Sequence, residues 1–101
     1  MSDEIPVACR LTDSELRERE AALWKELKSV WSATEDLPGG YAFHLPGDKK
    51  WLALAAELIA AERECCPFLT FELIAEPNMG ALTLRMTGPA GAKEFLKSIL
   101  Q

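Results

Sequence analysis

A β-hairpin in the second half of the chain constrains the fold more than any other feature of the sequence. Apolar and polar residues alternate from Leu69 to Glu76 and from Leu82 to Thr87, and the turn sequence Pro77-Asn78-Met79-Gly80 separates the two runs. Such alternation is typical of strands with one buried face, and a cluster of turn residues between two such runs favours a hairpin. The sequence therefore predicts a sheet that turns one face toward a core.

The other elements are predicted from apolar spacing and from helix-breaking residues. They are a strand over Ile5–Leu11, a capped helix from about Asp13 to Ala33, a strand over Tyr41–Leu45, a helix from Lys49 to about Cys65 and a last helix over Ala90–Leu100. The segment Leu37–Gly40 is predicted to be a chain breaker. The order β-α-β-α-β-β-α indicates an α+β fold, in which a mixed sheet of about four strands carries helices mainly on one face.

The length of the chain fits a single domain spanning residues 1–101. A chain of 101 residues buries about two thirds of its surface on folding, so the fold does not need covalent cross-links. The three cysteines are an odd number and cannot all pair within one chain, which argues against a secreted disulfide scaffold. Three thiols that the fold does not require are therefore the first chemical question.

Charge and hydropathy exclude several classes of partner. The net charge is −5 and no basic cluster is present, so we expect no nucleic-acid binding. No apolar run is long enough to cross a membrane. The first residues lack the basic and apolar regions of a signal peptide, and we therefore expect a cytoplasmic protein whose thiols start reduced.

The main candidate site is the vicinal pair Cys65-Cys66, which stands where a helix gives way to a strand and is followed by Pro67. Thiolate sulfur is the ligand that soft ions prefer, so the pair is a candidate site for Cu(I), Hg(II) or As(III), and Zn(II) also accepts it. Adjacent cysteines lack the spacing of strong zinc motifs. Both could instead be small buried hydrophobic residues, and a strained disulfide between them is a further alternative.

Glu62 precedes Cys66 by one helical turn, at a position on the apolar stripe where a hydrophobic residue is expected. It is a candidate oxygen ligand or proton acceptor, and an ion pair with Arg63 or Arg85 is the simpler alternative. Cys9 is the third thiol and a candidate third ligand, although it could equally be a core residue of the first strand. The role of His44, the single histidine, is left open.

One resemblance covers most of the chain. The stretch from Glu62 to Leu73, which reads Glu-Arg-x-Cys-Cys-Pro-Phe at its start, the turn Thr87-Gly88-Pro89 and the segment Ala8-Cys9 resemble a group of small, poorly characterised bacterial proteins. That pattern is associated with the handling of heavy metals and metalloids. The resemblance implies that Cys9, Cys65 and Cys66 are the thiols that act there, and it implies no established enzymatic activity.

Three hypotheses follow. In the first, the protein binds a soft metal ion or metalloid through Cys65 and Cys66, with Cys9 and Glu62 as further ligands. In the second, one thiol of the pair reacts as an enzyme or redox switch; this is less favoured, because a helix C-terminus does not lower a thiol pKa, and we predict no catalytic residue. In the third, the cysteines are structural and the protein is an interaction module that forms a homodimer through the long first helix.

Overall fold

The computed structural model describes residues 14–32 and 34–100. The elements, in chain order, are α1 (Ser14–Lys28), β1 (Thr34–Leu37), β2 (Gly40–Leu45), α2 (Lys49–Cys65), β3 (Thr70–Ala75), β4 (Leu82–Thr87) and α3 (Ala92–Leu100). The predicted α+β class is confirmed. The strand predicted over Ile5–Leu11 lies outside the described residues.

The four described strands form one sheet in the order β1-β2-β4-β3. Every pairing among them is antiparallel, and the register places Phe43 of β2 and Leu73 of β3 on either side of Leu84 of β4. The described sheet therefore differs from the mixed sheet that was expected. Two of its three neighbouring pairs, β1-β2 and β3-β4, are hairpins, which are antiparallel by construction, and the central pair β2-β4 is also antiparallel.

The core lies against one face of this sheet. Residues of β2 and β4 that alternate toward that face are buried, namely Phe43, Leu45, Leu82, Leu84 and Met86. The helices cover them with Leu23 and Leu27 from α1, Ala55 and Leu58 from α2 and Leu96 from α3. The one-sided arrangement of helices is therefore confirmed.

α1 and α2 pack directly against each other. The pairs Arg19–Glu57 and Trp24–Glu62 join them, and these pairs advance together along both helices, so the helices run parallel. Parallel neighbours need a long connection between them, and the β1-β2 hairpin provides it. No helix among the described residues is long and apolar enough to cross a membrane.

The first helix ends earlier than predicted, at Lys28 rather than near Ala33. Beyond it, Trp31 stacks on Phe43 with ring centroids 4.5 Å apart, and the backbone N–H of Ser32 donates to the carbonyl of His44 at 2.9 Å. These contacts with β2 replace the last helical turn. Tertiary packing has overridden a helical pattern that the sequence continues.

The strand β1 was not predicted. The segment Leu37–Gly40, which was expected to interrupt regular secondary structure, contains the turn that joins β1 to β2. Pro38 and Gly39 form this turn, and Leu37 pairs with Gly40 across it. At Gly40 a Cβ would lie 1.8 Å from the carbonyl oxygen of Met86. Only glycine therefore allows β2 to approach β4 this closely.

Candidate metal centre

The vicinal cysteines lie at the C-terminus of α2, as predicted. Cys65 is the last helical residue, and Cys66 leaves the helix with φ −125° and ψ 72° while its N–H still donates to the carbonyl of Glu62 at 2.6 Å. Pro67 accounts for this conformation, because a proline disfavours helical geometry in the residue before it. The carbonyl of Cys66 then accepts from the N–H of Leu69 at 3.1 Å, which fixes the turn into β3.

This turn brings three donor groups together. One ligand atom from each of Glu62, Cys65 and Cys66 lies within 4.8 Å of the others, and all three residues are buried. Their exposed fractions are 1%, 2% and 0%. The one-turn spacing predicted for Glu62 and Cys66 therefore places a carboxylate beside the sulfurs, inside the core rather than on the surface.

Glu62 is held by α1. Its Oε1 accepts a hydrogen bond from the indole Nε1 of Trp24 at 2.7 Å, in a buried position. Its Oε2 is also buried, and no donor of fixed position among the described residues reaches it. An ionisable group inside a core normally has all its polar atoms satisfied, so a proton on a neighbouring group must serve this oxygen.

The expected ion pair of Glu62 with Arg63 or Arg85 is not formed. Arg85 pairs instead with Glu72 at 3.1 Å, on the opposite face of the sheet, and Arg63 is exposed. Among the described residues, no cation pairs with Glu62, and the indole of Trp24 is one of its hydrogen-bond donors.

A second carboxyl group, that of Glu20 on α1, lies beside Glu62. The pKa of Glu20 is raised from its ordinary value of 4.5 to about 8, chiefly by burial and then by the hydrogen bond and negative charge of Glu62, against a smaller opposite effect of Arg17. The Oε2 atoms of both residues are buried and have no donor when both groups are ionised. A proton retained by Glu20 supplies the missing donor, since two carboxylates can then share it.

The thiol of Cys66 is kept neutral by the same surroundings. Burial raises its pKa, and the charge and hydrogen bond of Glu62 and the charge of Glu20 raise it further. A thiol that holds its proton this strongly is a poor nucleophile. Cys66 therefore does not have the low thiol pKa that the enzymatic hypothesis requires.

Cys65 and Cys66 differ in oxidation state. Cys65 is disulfide-bonded, whereas Cys66 is a free, buried thiol. The two are thus not bonded to each other, and the vicinal disulfide that the sequence left open is not formed. The predicted third thiol, Cys9, lies outside the described residues.

His44 is far from this chemistry, on the other face of the sheet. Its ring nitrogens contact Glu35 Oε1 at 3.1 Å and Thr83 Oγ1 at 3.2 Å. His44 is therefore engaged by neighbouring strands on the polar face and does not join the donors at the end of α2.

Sequence reasoning missed Glu20 and the polar role of Trp24, although a signal for the first was present. Glu20 follows Leu16 by four residues and precedes Leu23 by three, so it interrupts the apolar stripe of α1 just as Glu62 interrupts that of α2. Two such interruptions on helices that pack together point to one shared polar site.

The functional argument rests on this geometry, because comparison with known proteins found no match. No family model matches the chain, and neither the curated proteins nor the solved structures contain a match.

Proposed function

We propose that the protein, with Cys65 reduced, binds a thiophilic metal ion or metalloid through Glu62, Cys65 and Cys66. The candidates named from the sequence, Cu(I), Zn(II), Hg(II) and As(III), all accept thiolate ligands. The observation that carries the proposal is the approach of a buried carboxylate oxygen and two sulfurs to within 4.8 Å of one another.

The spacing suits an ion after a small contraction. With metal–sulfur bonds near 2.3 Å, two tetrahedral ligands lie about 3.8 Å apart. Donor atoms within 4.8 Å of one another therefore need to close by at most about 1 Å.

Burial supports the same proposal energetically. Removing a charged carboxylate from water is costly unless a partner charge is present, and the donor to Oε1 of Glu62 is a neutral indole. A bound cation would supply that partner charge and would also replace the proton of Cys66. Binding of this kind releases protons, so affinity should rise with pH.

The test is a titration of the reduced protein with each of the four ions, followed by native mass spectrometry and thiolate absorbance. The parent should bind one ion, and the Cys65→Ser/Cys66→Ser variant should lose at least about a hundredfold in affinity. Glu62→Gln, which keeps shape and removes charge, should lose about tenfold or more. Circular dichroism establishes that each variant folds. Equal binding by the parent and the double-serine variant would contradict the proposal.

The disulfide at Cys65 favours a second candidate, a protein that responds to oxidation. The responding sulfur would be that of Cys65, which is the one that is disulfide-bonded, because the thiol of Cys66 is free and its pKa is raised. Peptide mapping of the unreduced protein would identify the cysteine bonded to Cys65, and the sequence holds one further candidate, Cys9. Recovery of Cys65 as a free thiol after exposure to oxidant would rule this candidate out.

A further inference from the structure

The sulfur of Cys65 belongs to two chemical arrangements at once. It is one of the three donor atoms that lie within 4.8 Å of one another at the end of α2, with those of Glu62 and Cys66. It is also the sulfur that is disulfide-bonded, whereas Cys66 is a free thiol. A metal ion binds the thiolate form of a cysteine, and a disulfide sulfur carries no such charge. A disulfide at Cys65 and a metal ion on Cys65 therefore exclude each other.

The other two donors are already held in place while Cys65 is disulfide-bonded. The N–H of Cys66 donates to the carbonyl of Glu62 at 2.6 Å, and Oε1 of Glu62 accepts from Nε1 of Trp24 at 2.7 Å. Both Glu62 and Cys66 are buried. Opening the disulfide therefore adds one thiol to two donors that are in position, and closing it withdraws that thiol alone.

The redox step is a thiol–disulfide exchange. The chain has three cysteines, and because Cys66 is free, Cys9 is the candidate partner of Cys65; it lies outside the described residues. In reduction, two glutathione thiols become one glutathione disulfide, and their two electrons and two protons convert the protein disulfide into two thiols. In oxidation, glutathione disulfide accepts two electrons, the protein disulfide closes, and each protein sulfur releases the proton or metal ion that it held.

Building on the proposed function, we propose that the disulfide of Cys65 regulates the metal centre: reduction by a low-molecular-weight thiol loads the site, and oxidation discharges it. The coupling acts in both directions, because two linked equilibria affect each other by the same factor. An ion that binds only the reduced protein stabilises the reduced form by mass action. The ion should therefore make the disulfide of Cys65 easier to reduce.

The experiment equilibrates the full chain in mixtures of reduced and oxidised glutathione, approached from both redox states. Cd(II) is the probe, because it is thiophilic and its thiolate complexes absorb in the ultraviolet. A metal buffer holds free Cd(II) at zero or at about one hundred times the Kd of the reduced protein. Acid quenching, alkylation in denaturant and peptide mapping then give the ratio of thiol to disulfide at Cys65 and identify its partner.

Cd(II) should raise the ratio of thiol to disulfide at Cys65 about hundredfold. For this two-electron couple, that factor is a shift of about 59 mV toward easier reduction. Mg(II), which prefers oxygen ligands, should leave the ratio unchanged at the same concentration. Addition of excess oxidised glutathione to the reduced, Cd(II)-loaded protein should abolish the thiolate absorbance as the disulfide forms.

Three variants locate the effect at the proposed donors, all at the free Cd(II) concentration used for the parent. Cys66→Ser keeps the disulfide of Cys65 but removes the other sulfur, so the response to Cd(II) should fall to about twofold or less. Glu62→Gln, with about tenfold weaker binding, should respond about tenfold. Glu64→Gln changes an exposed carboxylate on the same helix and is the matched control, which should keep the full response. Circular dichroism establishes that each variant folds.

The outcomes separate this inference from the function on which it rests. If the reduced parent binds none of the candidate ions, the proposed function fails. If the parent binds Cd(II) but the ratio at Cys65 changes by less than about twofold, the disulfide is purely structural and does not regulate the site, while binding by other donors stands. Recovery of Cys65 as a free thiol in every glutathione mixture would also overturn the inference, since no disulfide would then oppose the ion.

Discussion

Trp24 is a core residue of α1 that also serves a polar role. It is 5% exposed and packs in the hydrophobic core. The hydrogen bond from its Nε1 to Glu62 could not be predicted, because it joins residues 38 positions apart. The same holds for Glu20, whose partner becomes visible only when α1 lies against α2.

We expect Trp24→Phe to destabilise the protein by about 1–3 kcal/mol, because it leaves Oε1 of Glu62 buried without a donor. Equilibrium unfolding in urea measures the loss. Trp51→Phe is the control, since Trp51 is partly buried and contacts Lys50 through its ring face rather than through a buried hydrogen bond. Equal losses in the two variants would show that the hydrogen bond contributes little.

Glu20 should make stability depend on pH. Its pKa is raised from 4.5 to about 8 in the folded protein, so the folded state binds the proton more tightly than the unfolded state does. Its stabilising contribution is therefore complete below about pH 4.5 and is lost as pH rises through about 8. The carboxyl faces Glu62 and Cys66 of the α2 end and Arg17 of its own helix.

The expected result is a melting temperature that falls as pH rises from about 5 to about 8.5 in the absence of metal. Glu20→Gln should flatten this dependence, because the amide does not titrate. Differential scanning fluorimetry of the reduced protein provides the measurement. A slope that is the same in the parent and in Glu20→Gln would assign the dependence to other groups.

At the scale of elements, the sequence correctly predicted the helix and the hairpin whose bounds depend on local signals. The bounds of α2 and of the β3-β4 hairpin match the structure closely, since periodicity, Pro67 and a turn cluster define them. β1 was missed because its residues Thr34–Leu37 are mostly exposed and do not alternate. It forms because Pro38 and Gly39 return the chain so that it pairs with β2, a tertiary cause that periodicity does not show.

The turn of the β3-β4 hairpin contains a strained position. Asn78 and Met79 have φ of 60° and 58°, and the N–H of Gly80 donates to the carbonyl of Pro77 at 3.1 Å. Positive φ at both central residues defines a type I′ turn, for which Asn-Gly is the preferred pair. Met79 is 75% exposed, so its side chain gains little from packing.

We therefore expect Met79→Gly to stabilise the protein by about 1 kcal/mol, since glycine avoids the cost of a left-handed conformation. Thermal or urea unfolding measures the gain. Met79→Ala separates the two possible causes, because it removes the side chain but keeps the Cβ that disfavours this φ. If alanine stabilises as much as glycine, the backbone explanation is wrong.

At the scale of the whole molecule, the candidate site depends on α1, α2 and the turn into β3 being assembled together. The sequence identified Glu62, Cys65 and Cys66 from one contiguous segment, and these three are brought together. It could not reveal which residues of α1 would face them. The homodimer through the first helix stays a prediction; the rings of Trp24 and Trp31 pack edge to face within the protomer, with centroids 6.1 Å apart.

Because the donors come together only in the folded chain, a bound ion should stabilise the whole protein. At a free ion concentration of about one hundred times Kd, the gain is about 2.7 kcal/mol, which corresponds to about 10–20 °C in melting temperature for a domain of this size. Scanning calorimetry with and without Zn(II) or Cd(II) measures it.

The oxidised protein is the natural control for this shift. With Cys65 held in its disulfide, one sulfur is withdrawn from the donor set, and we expect little or no stabilisation by the same ions. Equal shifts in the reduced and oxidised proteins would indicate that Cys65 is not a ligand.

The hydrogen bond between Trp24 and Glu62 also has an optical consequence. The indole N–H ends 2.7 Å from the carboxylate, so any change of charge on that carboxylate alters the electric field at the ring. The emission of Trp24 should therefore shift when the carboxylate takes up a proton or an ion. Trp31 and Trp51 make no such bond with the residues that the structure describes and provide an internal reference, so the chain contains its own fluorescent reporter for the occupancy of the site.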